Sequence, residues 1–192
     1  MLTINDLKPK LIVLLDGAPY QMLEVKHLHM GRGGSSVQTK IRNLGTGRVF
    51  LRNFKPADTF DQAEVEKREL TYLYTHRGEY VFASVENQSR RWTLTAEILG
   101  HAGQWLKPNQ RVQALFFNGR LLGASPPIKV DLQVSDAPPG LRGDTATSPT
   151  KTVTLETGAR LSVPLFVNEG DIVRVNTESG EYVERVAKRP GQ

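Results

Sequence analysis

A chain of 192 residues, 39% hydrophobic and 23% charged, has the composition of an ordinary globular protein, with apolar material for several small cores. It contains no cysteine, which excludes disulfide frameworks, thiol catalysis and thiolate metal sites. Its formal net charge is +5, and its longest aliphatic run, Leu11–Leu15, is five residues against the roughly 20 that a membrane helix needs.

In chain order, strand signals dominate. Lys10–Leu15, Tyr20–Leu28, Ser36–Asn43 and Val49–Phe54 are short, rich in β-branched or aromatic residues, and partly alternate apolar with polar positions. Asp61–Arg68 is charged and reads as a short helix or a linker. Leu70–Tyr74, Tyr80–Val85 and Val112–Phe117 follow as strands, with a helix predicted over Thr93–Leu99, N-capped at Thr93 and stopped by Gly100. Lys129–Val134, Val153–Leu155, Arg160–Val163 and Asp171–Asn176 complete the strands. Turn signals fall between them at Asp16-Gly17, Gly31–Gly34, Gly45–Gly47, Arg77-Gly78, Asn118-Gly119, Glu169-Gly170 and Ser179-Gly180. Asn118-Gly119 is the strongest, since both central residues of a type I′ hairpin turn need positive φ. Many short strands with frequent turns predict an all-β chain of small barrels. The charged stretch near residue 64 and Pro126-Pro127 divide it into modules 1–64, 65–128 and 129–192. A turn-then-strand pattern at Leu106–Leu115 is echoed at Val167–Val175, which suggests that the second and third modules are copies of one barrel.

The charge is uneven. Residues 1–64 and 65–128 each carry a net +3, whereas 129–192 carry a net −1. Within 20–56, seven cations (Lys26, Arg32, Lys40, Arg42, Arg48, Arg52, Lys55) meet one anion, Glu24. Such a stretch is either a surface for a polyanion such as RNA or a solvated basic face without a partner. The opening Met-Leu-Thr-Ile-Asn-Asp lacks the basic-then-apolar order of a signal peptide, so the chain is expected to be soluble, cytoplasmic and without a membrane partner.

Two loops stand out. Met30-Gly-Arg-Gly-Gly-Ser-Ser36 joins two predicted strands and leaves Arg32 as the single large cation on a glycine-freed tip. It reads either as a probe for an RNA-lined cavity, where a guanidinium forks to phosphate and stacks on bases, or as a flexible loop with one exposed arginine. The residues argue against a phosphate-cradling P-loop or a dinucleotide fingerprint, because no Lys-Ser/Thr follows and the next segment reads as strand. Ala137–Ala146 carries two prolines and two glycines, with Arg142, Asp144 and Thr145 projecting. It is either a plain connection or a presenter of amides and a hydroxyl to RNA. His27 and His29 could share a strand face, but zinc wants three or four ligands and no others stand nearby. No arranged carboxylate pair or nucleophile elbow is present, so no catalytic site, metal or cofactor is expected.

Pro-Gly-Leu-Arg-Gly-Asp-Thr (Pro139–Thr145), Thr154–Gly158, Val163–Phe166, Glu169–Asp171, Val175–Thr177 and Gly180–Arg185 resemble, in order and spacing, the C-terminal signature of elongation factor P. Tyr72–Tyr74, Tyr80–Phe82 and Pro126-Pro127 resemble that family's middle module, and Lys40–Gly47 with the Gly-Arg-Gly-Gly tip its first. The resemblance implies a KOW or SH3-like barrel followed by two OB-type barrels in an elongated L shape. It implies a non-enzymatic, tRNA-mimicking monomer that binds the 70S ribosome and its rRNA between the P and E sites. Its action would be to relieve stalling at consecutive prolines by steadying the P-site peptidyl-tRNA. Arg32, with Gly31, Gly33 and Gly34, inherits the tip that reaches the CCA end. Gly143, Asp144 and Thr145 inherit a loop facing the small subunit and mRNA, Tyr182 and Arg185 inherit C-terminal ribosome contacts, and Lys40 and Arg42 belong to the basic RNA-facing surface. Some members carry a modification at the tip (a lysine extension, or a sugar on arginine), which brings a tip-modifying enzyme as a further implied partner. Met30 departs from the family's common proline, and Ser35-Ser36 from its usual alanine-apolar pair. Two other readings stand beside this one: a general RNA-binding KOW/OB protein acting elsewhere, and a nucleotide- or sugar-processing enzyme supported only by the glycine loop.

Overall fold

Alternating burial along short segments builds three sheets in sequence, as an all-β chain requires. The structure, a computed structural model, describes residues 1–28, 36–139 and 149–188. Strands β1 (Leu2–Thr3), β2 (Ile12–Leu15), β3 (Ala18–Leu28), β4 (Ser36–Asn43), β5 (Val49–Phe54) and β6 (Thr59–Gln62) form the first sheet, in the order β1-β6-β2-β3-β4-β5. Val37, Thr39 and Ile41 of β4 are buried, as the period of two demands. The two apolar ones join a core with Val13, Met22, Phe54 and Phe60, the two phenylalanines meeting edge-on at 4.8 Å. The buried Thr39 hydroxyl is satisfied by donating to the Arg52 carbonyl at 2.8 Å. Asp61–Arg68 is not a helix: Phe60 and Ala63 are buried while Asp61 and Gln62 are exposed, so its charges sit on the outer side of extended chain.

The second sheet comprises β7 (Glu66–His76), β8 (Glu79–Ser84), β9 (Arg91–Thr95), β10 (Arg111–Phe117) and β11 (Arg120–Ser125), in the order β11-β10-β7-β8-β9. The predicted helix over Thr93–Leu99 is only in part helical. Buried Leu94 between exposed Thr93 and Thr95 keeps the period of two, and only Ala96–Leu99, with Thr95 at its N-cap position but no side-chain cap bond, forms α1. A 3-10 segment, Gly100–Trp105, follows. The third sheet comprises β12 (Lys129–Asp136), β13 (Thr150–Leu155), β14 (Arg160–Pro164), β15 (Ile172–Asn176) and β16 (Glu181–Ala187), in the order β14-β13-β12-β15-β16. Leu132, Val163, Val167, Val173 and Val175, all fully buried, form its core with Trp105.

The second and third sheets share one strand order once β7–β11 are matched to β12–β16. The match extends to single hydrogen bonds. In the second, the Gln110 amide donates to the Lys107 carbonyl at 3.1 Å, and the Lys107 amide donates to the Gln110 side chain at 2.9 Å. In the third, Asp171 and Asn168 repeat both bonds at 3.1 and 2.9 Å. The turns also dock alike: Asn109 and Gln110 exchange backbone bonds with Tyr72, and Gly170 and Asp171 with Val134, all at 2.8 Å. The faint echo in the sequence is therefore one structural unit used twice.

By compactness the chain divides into two units. One comprises Met1–Arg68, Trp92–Gly100 and Ala114–Gly123; the other comprises Glu69–Arg91, His101–Gln113 and Ala124–Gln192.

Candidate nucleic-acid interface

The β3–β4 hairpin is the arm on which the glycine-rich segment is mounted. Its two strands pair from Tyr20↔Asn43 out to Leu28↔Ser36, with a bulge between Met22 and Glu24. At about 3.3 Å per residue, the eleven residues of β3 span on the order of 35 Å. Lys26, His27 and Leu28, its last residues, are exposed. Residues 29–35, including Gly31, Arg32, Gly33, Gly34 and His29, lie outside the described residues. So do Gly143, Asp144 and Thr145.

Around this arm the cations divide by use. Lys26, Arg48, Arg52 and Lys55 are exposed, and Arg52 also lies 5.5 Å from the centre of the Phe54 ring. Lys40 pairs with Glu24 across the hairpin at 3.3 Å. Arg42 is engaged internally. Its Nε donates to the Gly47 carbonyl at 3.3 Å, and its Nη2 donates to the Glu97 and Ile98 carbonyls at 3.1 and 2.9 Å. Helix α1 is a single turn, so its last carbonyls have no partner within the helix. The Gly100 amide caps Ala96, and Arg42 supplies the donors for the next two.

In the second unit, Arg185 of β16 lies across the barrel's edge rather than pointing away from it. Its guanidinium donates to Asp171 at 3.2 Å and to the Phe166 carbonyl at 3.1 Å, and stacks 4.9 Å from the Phe166 ring centre. Asp171, 3% exposed, is the turn acceptor where the second sheet has the neutral Gln110, and its charge accounts for the arginine. Tyr182 packs half-buried against the core, and burial raises its phenol above the ordinary range. Beside them, Arg174 grips Asp131 through two bonds of 2.7 and 3.0 Å and donates to Glu184. The Arg174 guanidinium holds the Asp131 carboxyl below the usual carboxylate range. The Arg174–Asp131 pair and the Arg42–α1 contact join residues 43 and 55–56 positions apart. No local spacing could have shown them.

Among the described residues, no group of three His, Asp or Glu is placed to hold a metal ion. No buried side-chain nitrogen or oxygen among them lacks a hydrogen-bond partner. None of the described helices is long and apolar enough to cross a membrane.

Three family profiles tile the chain: the "Elongation factor P (EF-P) KOW-like domain" over residues 3–60, the "Elongation factor P (EF-P) OB domain" over 65–124, and "Elongation factor P, C-terminal" over 130–185. The chain is similar to the elongation factor P of Pelotomaculum thermopropionicum, at 40% identity over 97% of this chain and 100% of that one. It is also similar to those of Acetivibrio thermocellus, at 39% over 97% and 100%, and Dictyoglomus thermophilum, at 42% over 96% and 100%. An all-β chain with a KOW-like domain and OB-type sheets, matched to these relatives along nearly its whole length, belongs to the elongation factor P family of translation factors.

Proposed function

We propose that this protein acts in the cytoplasm as a monomer, binding the 70S ribosome between the P and E sites and relieving stalling at consecutive prolines by positioning the P-site peptidyl-tRNA. The observation that carries the reading is the β3–β4 hairpin, a paired arm whose two strands are joined by a segment with Arg32 among three glycines. A paired hairpin is stiff along its length, while glycines let the backbone approach a ligand closely. Arg32 at such a tip could fork to phosphate or stack on the terminal bases of the CCA end. Lys26, Arg48, Arg52 and Lys55 support the same reading, because exposed cations neutralise RNA phosphates.

Proline is a rigid, poor nucleophile, and peptidyl-tRNA that carries it adopts unproductive geometries. Holding the acceptor end in an attacking geometry lowers the barrier by orientation alone, with no catalytic group on the protein. In this division of labour, module 1–64 carries the tip and 65–128 spaces it. Module 129–192 contacts the ribosome, with Gly143, Asp144 and Thr145 facing the small subunit and mRNA and Tyr182 at a C-terminal contact. Arg185, with two of its contacts spent on Asp171 and Phe166, serves that contact by holding the barrel edge in shape.

The test is in vitro translation of a Pro-Pro-Pro reporter with wild-type protein and with Arg32→Ala. The wild type should restore full-length product. Arg32→Ala should lose most of that effect, while ribosome affinity changes by no more than about threefold, because one cation among many phosphate contacts is removed. Equal relief by both proteins would refute the role of the tip.

A further inference from the structure

Counted by charge alone, Arg42 belongs to the basic face, yet its contacts give it other work. We propose that Arg42 is a positioning residue that fixes the tip-bearing hairpin to the end of helix α1, and that it does not bind RNA. All the atoms concerned lie in one compact unit. Three carbonyls converge on the guanidinium, from Gly47, Glu97 and Ile98, within 2.9 to 3.3 Å. Nη2 serves two adjacent carbonyls and Nε the third, which needs a planar fork rather than a point charge. The backbone is shaped around this contact. Gly47 has φ +76, and a Cβ there would lie 2.5 Å from the Glu97 carbonyl oxygen. Gly100, with φ +56, would place a Cβ 3.0 Å from Arg42 Nη2. Gly47 thus lets the backbone reach α1 where a Cβ would strike the Glu97 carbonyl, and Gly100 leaves room for the guanidinium.

Arg42 sits on β4, the strand that runs out to the hairpin end. The contact therefore sets the direction in which the β3–β4 arm leaves α1. An orientation mechanism depends on that direction, since small displacements of a positioning element cost large factors in rate. This inference deepens the proposed function and rests on it for its effect on translation, while the stitch itself can be measured separately.

The chain has no cysteine, so Asn53→Cys with Thr93→Cys, both exposed positions of the same unit, provides two clean sites for spin labels. Pulsed electron resonance would give the distance distribution between β5 and β9 in otherwise wild-type protein and with Arg42→Ala or Arg42→Lys. Both variants should broaden the distribution. Both should also lower Pro-Pro-Pro synthesis about tenfold, with ribosome affinity held within about threefold, because the lost property is alignment. Lysine keeps the charge but not the fork, so it should not rescue. If Arg42→Lys matches wild type, or if Arg42→Ala cuts ribosome affinity more than about tenfold with an unchanged distribution, Arg42 is an RNA contact and the inference falls. If the variants broaden the distribution but wild-type protein gives no relief of stalling, the stitch stands and the functional reading falls.

Discussion

Arg185 crosses from β16 to a carboxylate that is 3% exposed and that also accepts the Asn168 amide. Removing the cation takes a counter-ion from a buried charge, which is far costlier than never having had the pair. Arg185→Met is therefore expected to lower stability by about 3 kcal/mol in a denaturant titration. Adding Asp171→Asn, which keeps an acceptor for the Asn168 amide without the charge, should recover most of the loss. The matching turn of the second sheet already uses a neutral amide, Gln110, in this position. Charge-counting along the chain could flag Arg42 and Arg185 as cations. It could not show their acceptors, which lie up to 56 positions away in the case of Arg42 and outside its own strand in the case of Arg185.

Elements announce themselves where local chemistry is decisive. Asn118-Gly119 takes positive φ at both residues, 48° and 76°, as its hairpin demands, and Asp16-Gly17 and Arg77-Gly78 do the same. Strands β4 and β5 have the bounds read from the sequence, β4 with alternating burial and β5 with only Phe54 buried. The segments that escape are two-residue β1; β6 and β9, each with a single buried residue; β11, whose adjacent buried Leu121 and Leu122 break alternation; and β16, an edge strand whose mostly exposed residues carry little apolar pattern. Thr93 escapes for another reason: a threonine before an apolar run caps a helix or faces solvent from a strand, and here the pairing of β9 decides. Two glycines separate conformational cost from steric cost. Gly119 and Gly47 share φ +76, but nothing lies within 4 Å of a Cβ on Gly119, whereas one on Gly47 meets the Glu97 carbonyl. Gly119→Ala should cost about 1 kcal/mol from left-handed strain alone. Gly47→Ala should cost about 2 kcal/mol more, because backbone must move. Equal losses in thermal melts would mean that the approach of residue 47 to α1 is not tight.

At the scale of the whole molecule, the chain combines a basic first sheet with two copies of one five-stranded unit, and its positive excess is confined to the first two thirds. That distribution supports the proposed docking on RNA, and the docking should weaken with salt in proportion to the phosphates neutralised. The fold class and the doubling of the barrel were legible because they rest on repeated local patterns. The site was proposed only from a resemblance, because the role proposed for residues 31–34 depends on what would surround them on a ribosome and not on their own chemistry. The most direct measurement is a cryo-electron microscopy map of this protein on a ribosome stalled at Pro-Pro-Pro. Density for residue 32 is expected against the CCA end of the P-site tRNA, with the β3–β4 arm leading to it. Residue 32 resolved away from the acceptor end, with the protein bound and stalling relieved, would contradict it.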